Sequence, residues 1–188
     1  CLLTEEDQLI SGPQNQKEKD QVLRVADGTR RSHLLTFRGT NRMLVNKQFA
    51  YLHQGENLTA LDRVSYVDLQ DEKRQLLAKQ AAIAKQLKGR KNDQTLKSQH
   101  SETGSRIQML TTSLPKCFKW KIPCGHPIGF AMGGNTLYVG GDGIVMAFNA
   151  SNGKKQWSAK VDGKAYGLAI SNGRLLVSTD KGHIHCFQ

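Results

Sequence analysis

The sequence predicts an all-β chain: a partial β-propeller of about four blades, each a four-stranded antiparallel sheet, interrupted by a helical hairpin. Three observations predict it. A short design recurs, in which a polar turn leads into alternating apolar residues, a Gly or polar pair and a second apolar run: "DQLISGPQ", "KQFAYLHQGENLTALD", "GNTLYVGGDGIVMAFN" and "NGRLLVSTDKGHIHCFQ". The first apolar anchors of these units, Leu9, Phe49, Leu137 and Leu175, lie 40, 88 and 38 residues apart. A stretch of different character, residues 66–116, falls inside the long interval and accounts for its excess. Gly-rich repeats of about 40 residues with short period-2 strands have the spacing of propeller blades.

The first unit opens on "CLLTEEDQLISG", which reads as a strand already under way. A leading Cys suits a piece of a longer protein, or a processed chain such as a mature lipoprotein. No apolar run approaches the ~18 residues of a membrane-spanning helix. "VLRVADGTRR" supplies a turn at Asp27-Gly28 but no Trp. In the second unit Ala60, Asp62 and Ser65 begin a motif that stops short. The triplet "NLT" at 57–59 matches a glycosylation acceptor but lies in an expected strand.

The third unit carries that motif whole. Ala147, Asn149, Asn152, Gly153 and Trp157 form A-x-N-x-x-N-G-x-x-x-W. From Ala147 to Trp157 is 10 residues, whereas the second unit reaches its Trp120 only 60 residues after Ala60. Taking that excess of 50 from the interval of 88 leaves 38, the same as the next interval, so the insertion replaces one tight turn. The expected limits are therefore blades over 1–65, a basic helical insertion over 66–116 and blades over 117–188.

Within the insertion, Leu69, Leu76, Leu77, Ile83 and Leu87 recur near the 3.6-residue period and predict a helix from Leu69 to Leu87, ended by Gly89. Beyond it, Leu96, Ile107, Leu110 and Leu114 suggest a second helix returning the chain. Of the net charge of +11, more than half belongs here: residues 68–119 carry 11 Lys or Arg against 5 Asp or Glu. Two readings of this charge compete, a solvated face and a docking arm for an acidic partner, nucleic acid or an anionic membrane surface, and without aromatic side chains among the cations to stack bases it argues the solvated face.

In the last two units Leu137 and Val139, and Leu175 and Val177, should share one sheet face, with Tyr138 and Leu176 on the other. "SNG" at 151–153 and 171–173, "DG" at 142–143 and 162–163 and "KG" at 181–182 each predict a hairpin turn with Gly at positive φ. Trp120 and Trp157, at equivalent places, should pack between blades. His183 and His185 alternate on a strand without a visible third ligand, which argues against a metal. Cys1, Cys117, Cys124 and Cys186 make no C-x-x-C pair, and Cys117 and Cys124 read as separate thiols.

With these residues in place, the chain resembles the pyrroloquinoline-quinone-like (PQQ-like) repeat propellers, the group that includes quinoprotein alcohol dehydrogenases and BamB-like outer-membrane assembly lipoproteins. Ala147, Asn149, Asn152, Gly153 and Trp157 approach that family's A-x-D-x-x-T-G-x-x-x-W tryptophan-docking pattern, with Asn149 where Asp is usual and Asn152 where Thr is usual. The resemblance implies that four units are only part of a ring of seven or eight blades. It is also similar to large bacterial propeller proteins with a charged helical insertion, where another domain such as a methyltransferase can follow. It implies an extracytoplasmic, periplasmic setting and two functions. The first is a non-catalytic scaffold for a protein partner, with no cofactor. The alternative is a PQQ- and calcium-dependent oxidoreductase whose site lies in blades outside this chain. No vicinal Cys pair or phosphate-cradling loop appears in the sequence to favour the alternative, and Asp142, Asp162 and Asp180 sit in Gly-containing turns that account for their side chains.

Overall fold

The computed structural model describes residues 2–3, 8–11, 22–27, 35–126 and 128–188, with side chains from Phe37 onward apart from Arg38 and Asn41. Cys1 and the expected turn at Gly28 lie outside the described residues. The chain divides into two compact units, residues 1–61 with 119–188, and residues 62–118.

The larger unit is built of antiparallel sheet. Strands β1 (Leu2–Leu3), β2 (Gln8–Ser11), β3 (Val22–Asp27) and β4 (Leu35–Arg38) pair in chain order. So do β5 (Thr40–Val45), β6 (Phe49–Gln54), β7 (Asn57–Asp62) and β8 (Phe118–Pro123). A third run, β9 (Gly129–Gly133), β10 (Thr136–Gly140), β11 (Asp142–Asn149), β12 (Lys155–Ser171), β13 (Arg174–Thr179) and β14 (Ile184–Phe187), forms six strands in order. Leu9, Phe49, Leu137 and Leu175 all fall on the second strand of their unit, so the repeat interval read from the sequence is the blade interval.

β12 serves two blades. Its first part pairs with β11, Trp157 opposite Ala147, and its second part pairs with β13, Leu168 opposite Val177. This corrects one expectation: Asp162-Gly163 is not a hairpin turn but a bend inside a continuous strand. Gly163 takes φ 98°, and the Asp180 carboxylate fills the space a side chain there would need while accepting the Lys164 N–H at 2.7 Å. The hairpin at Asn172-Gly173 has the expected form, with φ of 49° and 74°.

Alternation decides what each face buries. Leu137 and Val139 join Tyr51, Leu58, Ala60, Met146 and Phe148 in a core between the second and third blades. Leu175 and Val177 join Val145, Val161 and Ala165 in a second core, against which Tyr138 and Trp157 pack. Apolar residues on both faces of the third blade are what stacked sheets require. On the last blade the face bearing Leu176 and Ile184 is open, Ile184 being 75% exposed.

The smaller unit is a helical hairpin. α1 spans Arg63–Gly89 and α2 spans Gln94–Ser113, and a 3₁₀ turn, Leu114–Cys117, follows. α1 begins six residues before the expected Leu69, because the Asp62 carboxylate caps it by accepting the Ser65 N–H at 3.2 Å. Asp93 caps α2 in the same way through Leu96 N–H at 3.1 Å. Ile83, Thr103 and Leu110 are the buried seam residues. Gly104 brings the helices close, with a Cβ there only 3.1 Å from Gln80 Nε2.

Candidate functional site

The whole motif of the third unit builds a turn onto which the second blade's tryptophan docks. Asn149 Oδ1 accepts the Ser151 N–H at 2.9 Å, and Asn149 C=O accepts the Gly153 N–H at 2.8 Å. Asn152 Oδ1 accepts the Lys154 N–H at 2.9 Å. Ala150 donates its own N–H to Asn135 C=O, and its carbonyl accepts the Trp120 indole N–H at 2.9 Å. Gly153 sits at φ 72°, and a Cβ on it would stand 2.9 Å from the Trp120 ring. That position therefore excludes side chains twice, by backbone conformation and by contact.

The remaining motif residues divide between two environments. Ala147 and Ala60 are fully buried strand residues, at 0% and 1% exposure. Trp157 packs between Tyr138 and Phe187, with ring centroids 6.2 and 5.7 Å away. Asp62 stands where Asn149 stands in the third unit, and both side chains accept a backbone N–H just downstream. At Asp62 the capped segment is a helix, so Ser65 lies in the first turn of α1. His183 and His185 serve Asp162: His183 Nδ1 lies 3.1 Å from its carboxylate, and His185 Nε2 accepts its backbone N–H at 3.1 Å. Lys181 Nζ, 2.7 Å from the Asp162 carboxylate, is the main reason its pKa falls below the usual range.

Beside the docked tryptophan, a groove of about 450 Å³ opens between the second and third blades. Ile122, Met146 and Phe148 form its apolar floor, Pro123 to His126 one wall, and Glu56 and Lys155 bring opposite charges to its rim. Burial raises the pKa of the Cys124 thiol, keeping it protonated and a poor nucleophile at neutral pH. Behind this wall His53, 1% exposed, lies 2.6 Å from Cys124 C=O through Nε2. That contact makes Nε2 the protonated nitrogen of the neutral ring. Its Nδ1 is buried with no partner, and burial lowers the His53 pKa. The groove is not apparent in the sequence, since its lining comes from three segments far apart along the chain.

The alternative function would need residues able to hold calcium and a quinone. No three His, Cys, Asp or Glu side chains gather to hold a metal ion among the described residues. Cys124 and Cys186 are free thiols. Both tryptophans are engaged in blade packing. These described residues do not fit calcium or a quinone.

The matching family model is described as outer membrane protein assembly factor BamB and covers residues 92–188, just over half of the sequence. The chain belongs to this BamB family. The crystal structure of BamB from Moraxella catarrhalis has a TM-score of 0.50 at 13% identity, over 90% of this chain and 39% of that one. This chain thus spans about two fifths of that BamB. The computationally designed Ika4 protein has a TM-score of 0.57 at 8% identity, over 96% of this chain and 84% of that one. At these identities the likeness is one of fold, a PQQ-repeat propeller. A search of curated proteins gives no match. Among the described residues no helix is long and apolar enough to cross a membrane, which leaves membrane β-barrels unaddressed.

Proposed function

We propose that these blades are a non-catalytic binding scaffold within a larger bacterial protein, and that the groove between the second and third blades receives an extended segment of a protein partner. The observation that carries this reading is the groove itself, with Ile122, Met146 and Phe148 as floor and Glu56 and Lys155 at the rim. A strand-like segment places alternate side chains on opposite sides, so apolar residues can meet the floor while polar ones face water. The family description, an outer membrane protein assembly factor, agrees with such a partner and with an extracytoplasmic, periplasmic setting.

The test is fluorescence anisotropy of labelled peptides with alternating apolar and polar residues and a single charged end. Glu56 and Lys155 are exposed, so reversing them leaves the core intact. Glu56→Lys with Lys155→Glu is expected to switch the preference from one peptide polarity to the other. Unchanged affinity and polarity in the double variant would refute the groove.

A further inference from the structure

The two ends of the helical hairpin handle charge differently. Nearer its base two arginines are paired with carboxylates: Arg106 makes a bidentate bond to Glu72, at 2.7 and 2.9 Å, and Arg74 pairs with Asp71. At the tip, Lys85 and Lys88 on α1, Arg90 and Lys91 in the turn and Lys97 on α2 are all exposed. None of the five has an ion-pair partner among the described residues. The tip's one carboxylate, Asp93, is occupied in capping α2. The next one, Glu102, lies five residues beyond Lys97.

Five exposed like charges gathered at one end of a helical hairpin repel, which costs the hairpin stability and concentrates positive potential at that end. We propose that this tip docks end-on to an anionic phospholipid surface. Lys and Arg side chains are long and flexible, so cations exposed at a helical turn can reach out to phosphate groups. No Phe, Tyr or Trp lies between Tyr66 and Phe118 to stack on bases, which disfavours single-stranded nucleic acid. A helical tip with no apolar wedge binds by charge alone, as clustered Lys and Arg do at anionic membranes.

The experiment is co-sedimentation of the full chain with phosphatidylcholine vesicles containing phosphatidylglycerol, against vesicles of phosphatidylcholine alone. Binding is expected only to the anionic vesicles and should weaken with salt. Replacing the tip cations together, Lys85→Gln, Lys88→Gln, Arg90→Gln, Lys91→Gln and Lys97→Gln, should lower partitioning by roughly fivefold per cation. Gln preserves helix propensity, and circular dichroism checks that the helices remain. The same change at five other exposed cations, Lys116, Lys121, Lys154, Lys160 and Arg174, should have a much smaller effect. Wild-type binding by the tip variant overturns the proposal. So does equal binding to neutral vesicles, or stripping of the chain from anionic vesicles by duplex DNA at equal anion concentration.

Discussion

The blades and the helical hairpin are held by different means. Among the described blade residues, Leu52, Leu58, Leu61, Leu137, Val139, Val145 and Val177 are all under 2% exposed, whereas in the hairpin only Leu110 is a comparably enclosed large side chain. Blade stability is therefore spread over stacked sheets and docked turns, so one lost contact is felt across several strands. The hairpin depends on two Asp caps, a narrow seam and a few ion pairs, so its failures should be local.

The largest expected effect that sharpens this contrast is Trp120→Ala. It removes both the packing on Gly153 and the bond to Ala150 C=O, and should cost about 3 kcal/mol in urea unfolding of the blades. Leu110→Ala should cost about 2 kcal/mol but show itself as faster hydrogen exchange across α1 and α2, with blade amides unchanged. Loss of blade protection in that variant would show that the two units do not fail separately. Asp93→Ala removes one cap and should cost the hairpin about 1 kcal/mol.

How much of this was legible in the sequence follows from how local each signal is. The blade interval was, because Leu9, Phe49, Leu137 and Leu175 repeat the same place on a second strand. The insertion was, because 50 extra residues separate Ala60 from Trp120. The start of α1 was not, since Asp62 both ends β7 and caps the helix, and only its neighbours in space decide which role dominates. Asp162-Gly163 misled in the same way: a Gly at positive φ serves a hairpin or a bend between sheets, and the choice rests on Asp180, 17 residues on. His53 gave no sign at all, because its unpaired nitrogen is a product of packing.

That histidine supplies the smallest expected effect, and one confined to the blades. Its folded pKa lies below the ordinary 6.5, mainly through burial, so below pH 6.5 the unfolded chain binds more protons than the folded one. The stability of the neutral buried ring is full above pH 6.5 and is lost as pH falls towards the folded pKa. Blade melting temperature should drop on acidification through this window, and a His53→Gln variant should lose that component of the slope. An unchanged slope would remove His53 from the account.

The central claim, that the blades are a scaffold with a binding groove, is tested most directly by hydrogen exchange of the full chain with and without an alternating apolar–polar peptide. New protection is expected only in the segments around Glu56, Ile122 to His126 and Met146 to Lys155. Protection elsewhere, or none at saturating peptide, would contradict it.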